Sequence, residues 1–320
     1  MEREYKIDNL RAIAILLVVL GHSIIIYDPN WGLISSDVEC LPFMYLKKVI
    51  NLVQMPLFFS LSGFCYGLSK NQTFNKKMLQ NKFMRILLPY FFICFLYMDP
   101  IKIGLGVPGY DFSLEMLLQQ MVLFVNNGHL WYLPALFLMF VASSLALRGG
   151  GKKSIRLMMV LAFVLSVLSS RVVAWFCLSQ FCLYYVYFLL GYLICMNKET
   201  VYKRKNVGIG LCLVPIALSL WLSDGGLLKH SLFILMSFSV VIGLYCLVSS
   251  SRNKFLMILS KNSYGIYLFH SPLIYFMYML YPNANPMVMF TMNFIVCGII
   301  SLGLVYLVRK LGLKFIIGEK

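Results

Sequence analysis

Long apolar runs recur along the chain at roughly 10–27, 44–68, 84–100, 130–147, 155–170, 172–196, 207–222, 230–249, 262–281 and 286–308, separated by short polar stretches. A hydrocarbon core of ~30 Å needs ~20 apolar helical residues, with ~17 as the lower limit. The pattern therefore predicts an all-α, polytopic membrane protein with about ten transmembrane helices. No domain-sized stretch lacks such runs, so residues 1–320 read as a single membrane-embedded domain with no soluble extra domain. The largest interruption is 101–129. Within it Leu114, Leu117, Leu118, Met121, Val122 and Val125 follow helical spacing, while Glu115 and Gln119 share the opposite face. This segment is too short to span and predicts an interfacial or re-entrant helix.

The first run, "YKIDNLRAIAILLVVLGHSIIIY" (5–27), carries ionisable groups that hydrocarbon disfavours. Arg11 and His22 are eleven residues apart, close to three helical turns, which places them on one face ~16 Å apart along the axis. Asp8 falls within about 40° of the same face. The rise also sets His22 near the midplane of the core. His270, in "NSYGIYLFHSPL", lies ~12 Å into its own span from the same side, so the two histidines can meet inside one bundle. Imidazole is the side chain best matched to proton transfer near neutral pH. The plainer alternatives are buried hydrogen-bond networks capped by the histidines, and an Arg11 that snorkels to headgroups. In "NNGHLWYLP", His129 and Trp131 fall near the outer boundary, where Trp ordinarily anchors the interface.

Composition sharpens the class: 60% of residues are hydrophobic, 12% are charged and the mean hydropathy is +0.81. The net charge of +16 is of the size nucleic-acid binding uses, but its placement argues otherwise. Of the 28 Lys and Arg, 23 fall at the termini and in the odd-side loops, leaving Lys47, Lys48, Lys102, Arg171 and Lys229 on the even side. This is the positive-inside pattern, with both termini cytoplasmic, and it needs no nucleic acid. The amino terminus is basic and then apolar but lacks a small-residue cleavage site, so it reads as a retained helix. The loop 69–85, "SKNQTFNKKMLQNKFMR", is the densest basic stretch and suits phosphates of lipid or of a soluble ligand. Nine cysteines without a CxxC pair, mostly inside apolar runs, predict neither a disulfide framework nor a metal site.

"IDNLRAIAILLVVLGH" resembles the opening of the acyltransferase-3 family of integral membrane acyltransferases, whose first helix carries R-x10-H, the spacing of Arg11 and His22. "MPLFFSLSGF" (55–64), "KFMRILLPYF" (82–91), "HLWYLPALF" (129–137) and "SYGIYLFHSPL" (263–273) resemble the family in the same order, most closely its fucose 4-O-acetylase-like branch. The resemblance implies a ten-helix fold in the cell membrane, the bacterial inner membrane. It also implies transfer of an acyl group, usually acetyl, from acyl-CoA to a hydroxyl of a cell-surface carbohydrate. The family's essential Arg and His map to Arg11 and His22, and Asp8 is placed to orient Arg11. The family's R-x-x-R element, linked to acyl-CoA, becomes Lys82-x-x-Arg85 here. Lys meets a phosphate as a point charge without the bidentate fork of Arg.

The resulting expectation is an O-acetyltransferase that uses acetyl-CoA as donor and no metal, with Lys76, Lys77, Lys82 and Arg85 holding the donor phosphates. His22 is the expected base, and Arg11 holds the pantetheine or phosphate end or polarises the thioester carbonyl. His129, Trp131, His270 and Ser62 are the candidate acceptor contacts. Direct transfer is preferred, with an acyl-histidine left open. The rival reading is a transporter or flippase of a glycan or lipid precursor, though paired inverted repeats with broken helices are not visible. A catalytically silent lipid-binding protein is the third.

Overall fold

A computed structural model describes residues 4–69, 74–146, 152–221 and 226–319. Among them the chain is helical and contains no strand. In order the helices are α1 (Tyr5–Ser23), α2 (Leu41–Leu68), α3 (Lys76–Gly104), α4 (Leu114–Met121), α5 (Gly128–Ala146), α6 (Lys152–Val167), α7 (Leu178–Met196), α8 (Lys198–Tyr202), α9 (Lys205–Trp221), α10 (Leu227–Leu247), α11 (Lys254–Leu280) and α12 (Pro286–Lys310). A helix stands at each apolar segment marked by the sequence. Six of them, α2, α3, α5, α7 with its leading turn, α10 and α12, are long and apolar enough to cross a bilayer. The chain is a multi-pass membrane protein on that basis.

α1 packs between α2 and α11, and α2 lies against α7. The α2–α7 contact is close because small residues face each other. A Cβ on Gly63 would lie 1.8 Å from the Phe188 carbonyl oxygen, and one on Gly191 would lie 1.7 Å from that of Ser60. Gly63 and Gly67 form a G-x-x-x-G step, the spacing that lets membrane helices approach backbone to backbone. The start of α1 is stapled to the end of α10. Lys6 donates to the Tyr245 carbonyl at 2.9 Å, and Asn9 donates to Ser249 and Ser251. The Tyr245 carbonyl is one of those that a helix C-terminus leaves without internal partners, and Ser249 and Ser251 lie in the loop just beyond it.

Proline shapes the helices that carry the candidate residues. A proline inside a helix has no N–H for the carbonyl four residues back, and that carbonyl becomes a free acceptor. The Arg85 carbonyl, four before Pro89, takes the Tyr264 hydroxyl at 3.0 Å. Leu211, four before Pro215, takes Ser239 at 3.0 Å. Leu268, four before Pro272, takes the ring of His129 at 3.2 Å. α3 widens to π-helical turns at Phe83–Leu87 and Cys94–Met98, each just ahead of a proline.

Two elements depart from the sequence reading. α-Helical bonding in α1 stops at Ser23, and a 3₁₀ turn at Ile25–Tyr27 follows, so the predicted run to residue 27 is not one continuous α-helix and His22 sits in the last turn of α1. α4 ends at Met121 instead of running on to Val125, because Phe124 and Asn126 adopt left-handed backbone angles. Its buried side is Met116 and the polar Gln120, while Leu114, Leu118 and Val122 face outward. Gln119 donates to Glu115 at 3.0 Å along the predicted shared face.

Candidate active site

His22 and His270 meet where α1 crosses α11. Their ring centroids are 5.0 Å apart, and His270 Nε2 lies 3.2 Å from His22 Nδ1. The surrounding carbonyls fix the protons. His270 Nδ1 lies 2.8 Å from the Tyr267 carbonyl and 3.1 Å from that of Ile266; carbonyls only accept, so Nδ1 carries the hydrogen. A neutral His270 then offers an Nε2 lone pair. His22 Nδ1, 2.9 Å from the Val18 carbonyl, must carry its own hydrogen and shares it between Val18 and His270. Nε2 of His22 is therefore left as the unprotonated, basic nitrogen. The Tyr278 hydroxyl donates to the His22 carbonyl, one of the last-turn carbonyls of α1, and so fixes the residue from behind.

His129, on the first turn of α5, packs edge-on against His270 at 5.4 Å. Its Nε2–H donates to the Leu268 carbonyl freed by Pro272, and its own carbonyl accepts the Tyr267 hydroxyl. His129 is 6% exposed, and its Nδ1 lone pair has no hydrogen-bond partner. Such an orphaned buried acceptor is uncommon in native structures and asks for a ligand donor or an ordered water.

Two cavities flank this cluster. The first, about 240 Å³, is lined by His22, His129, Trp131, Lys102 and Tyr110, with Trp31, Tyr275 and Ser271 completing most of its wall. The second, about 390 Å³, lies toward the N-terminal end of α1 and is lined by Arg11, Arg85, Ser62, Cys65, Tyr132 and Tyr267. Arg11 is held there by Asp8 at 3.5 Å, Ser260 at 3.5 Å and the Cys65 sulfur at 3.3 Å. Ser260 in turn donates to Asp8 at 2.9 Å. Tyr267 belongs to the partition between the cavities: its side chain faces the Arg11 cavity and its hydroxyl binds the His129 backbone of the other.

The sequence-derived residues thus separate into two groups. Asp8, Arg11 and Arg85 gather at the Arg11 cavity, and His22, His129 and Trp131 at the His22 cavity. Ser62, expected beside the acceptor, lines the Arg11 cavity instead and hydrogen-bonds Tyr132 at 3.0 Å. His270 lines neither cavity and is fully buried behind His22. The Lys82 ammonium caps the Phe140 ring at 3.3 Å, on the edge of the Arg11 cavity. Lys76 and Lys77 stand exposed on the first turn of α3 without lining it. Trp131 is half-buried and stacks on Tyr184 at 5.3 Å rather than standing free as an interfacial anchor. The sequence reading missed Tyr132, Tyr267 and Lys102. The tyrosines look like ordinary apolar-run aromatics. Lys102 carries a signal, an ionisable residue just past an apolar run with Asp99 one turn before it, but the sequence pattern alone places it in the outer loop.

A family model described as an acyltransferase domain matches residues 4–310 of the chain. No curated protein and no solved structure gives a match. With the match running over nearly the whole length, the chain belongs to the acyltransferase-3 family and is a multi-pass membrane acyltransferase.

Proposed function

We propose that the protein is an O-acetyltransferase that moves acetyl from acetyl-CoA to a hydroxyl of a cell-surface carbohydrate, working in the cell membrane through about ten spans with both termini cytoplasmic. The observation that carries this reading is the pair of cavities, one basic and one aromatic and imidazole-lined, on either side of a histidine whose Nε2 is free to accept a proton.

The donor belongs at the Arg11 cavity, where Arg11 and Arg85 meet anionic or amide oxygens and Lys82 adds charge nearby. Arg11 cannot also polarise the carbonyl that reacts at His22. The two residues are ~16 Å apart along the helix, and the guanidinium is drawn away from His22 by Asp8, one turn closer to the N-terminus. Arg11 therefore holds the arm or phosphate end of the donor, and Asp8 and Ser260 position it. The thioester is threaded past Tyr267 and Tyr132 toward His22.

The acceptor belongs at the His22 cavity, whose aromatic walls suit the apolar faces of a sugar ring, with His129 Nδ1 accepting a sugar hydroxyl. His22 Nε2 removes the proton of the reacting hydroxyl as its oxygen bonds to the thioester carbonyl carbon. The C–S bond then breaks, the acetyl ester is complete, and the proton returns from His22 to the departing CoA thiolate. His270 Nε2, facing the Nδ1–H of His22, stabilises the imidazolium formed in between.

The test is transfer of isotope-labelled acetyl from acetyl-CoA to glycan in membranes holding the full chain. General-base catalysis typically contributes ~10²–10⁴ in rate, so His22→Ala should lower transfer at least ~100-fold in a protein that still inserts and still binds acetyl-CoA. His22→Gln restores hydrogen bonding but not basicity and should not rescue. A His22→Gln protein working at near-normal rate would make the histidine structural and end this reading.

A further inference from the structure

Lys102, on the last turn of α3, is 0% exposed and lines the His22 cavity. Its ammonium has three N–H donors. One goes to the Tyr110 hydroxyl at 2.8 Å, which passes its own hydrogen to the Asn126 carbonyl at 3.2 Å. The rings of Tyr110 and Tyr275 also stand against it, with centroids 4.1 and 4.3 Å away. Gly128 leaves room for it, since a Cβ there would lie 2.8 Å from Lys102 Nζ. Asp99, one turn earlier, is near enough for its charge to act on Lys102 but makes no ion pair with it; its carboxylate accepts from Gln120 at 3.2 Å and from the Cys94 thiol. Among the described residues Lys102 has no ion-pair partner.

A buried ammonium whose neighbouring carboxylate is engaged by other donors and makes no direct ion pair with it remains costly. Here that ammonium sits in the wall of a cavity shared with His22 and His129, with donors to spare and a backbone glycine making way for it. We infer that the His22 cavity takes a sugar bearing an anionic group, a carboxylate or a phosphate, which pairs with Lys102 and sets the reacting hydroxyl against His22. The inference rests on the reading of this cavity as the acceptor site and adds to it the chemical class of the acceptor. A neutral hexose would leave the Lys102 ammonium unpaired, and the cavity would discriminate against it for that reason.

The experiment is thermal unfolding of the full chain in detergent, titrated at matched ionic strength with glucuronate, glucose 6-phosphate and glucose. A hydrogen bond to a charged group corresponds to roughly 10- to 100-fold in affinity. At least one of the two anionic sugars should stabilise the wild-type protein in a saturable manner at least ~10-fold more tightly than glucose, and which of them does so separates carboxylate from phosphate. Lys102→Met should abolish the preference, with Lys102→Gln standing in should the first variant not extract as folded protein, and Lys102→Arg should keep part of it. Equal response to glucose, no saturable response to any of the three, or a preference that survives loss of the charge would overturn the inference. No acetyl donor is present. Binding through Lys102 without acetyl transfer would sink the transferase reading alone; efficient transfer to a neutral glycan with no anion preference would sink this one alone.

Discussion

His270 reaches neither cavity, so its replacement must act through the two imidazoles packed against it, His22 and His129. His270→Phe keeps a ring of similar shape but removes the Nε2 lone pair that shares the His22 Nδ1–H. Loss of a hydrogen bond to a group that becomes charged during turnover corresponds to ~10- to 100-fold. We expect that fall in kcat with little change in either KM; a KM effect alone would mean that His270 shapes the cavity and does not stabilise the imidazolium. Tyr267 makes a different prediction. Its ring stands between the cavities, and Tyr267→Ala should let water reach the donor, raising hydrolysis of acetyl-CoA relative to transfer by several-fold; an unchanged ratio would show that the partition lies elsewhere. At this scale the sequence is legible where chemistry is conspicuous. Arg11, His22 and His270 stand out as ionisable groups in apolar runs, and the eleven-residue spacing already puts Arg11 and His22 on one face. Tyr132, Tyr267 and Ser260 do not stand out, because nothing local separates a cavity-lining tyrosine or serine from an ordinary helical one.

At the scale of the helix, the prolines and glycines carry the consequences. Pro272 holds His129 in place by withholding an N–H from the Leu268 carbonyl. Pro272→Ala restores that N–H, which competes with the His129 ring for the same oxygen. The variant should fold at least as well as the parent, yet its transfer rate should drop ~2- to 10-fold, the range of one ordinary hydrogen bond. Full activity would show that the Leu268 contact does not position His129. The glycines of α2 and α7 predict the opposite outcome. A methyl on Gly63 or Gly191 runs into backbone carbonyls that no rotamer change can move, so Gly63→Ala and Gly191→Ala should each lose ~1–3 kcal/mol or more, read as lower thermal stability in detergent. Gly298→Ala, where nothing lies within 4 Å, is the neutral comparison. Helix positions were legible from apolar run length alone. The ends of α1 and α4 were not, since they depend on 3₁₀ and left-handed turns set by tertiary packing. For α4 the apolar stripe was found correctly, but in lipid such a stripe faces out, and the buried side is the one that sends Gln120 to Asp99.

Across the whole molecule the proposed reaction requires a direction. The Arg11 cavity lies toward the start of α1 and the His22 cavity toward its end, so a donor made in the cytoplasm reaches Arg11 first only when the N-terminus is cytoplasmic. The basic residues point to the same proposed orientation independently, with Lys and Arg concentrated in the loops on the N-terminal side. Arg204, between α8 and α9, and Lys229, at the start of α10, are exposed and lie on opposite faces in this arrangement. Single cysteines at these two positions, in a variant whose native cysteines are replaced, should separate cleanly under a membrane-impermeant maleimide applied to intact cells. Position 229 should label at once and position 204 only after the membrane is opened. The reverse result would place the His22 cavity on the cytoplasmic side and the Arg11 cavity outside, where acetyl-CoA is not made. The assignment of donor and acceptor to the two cavities would then have to be exchanged, and with it the part given to Lys102.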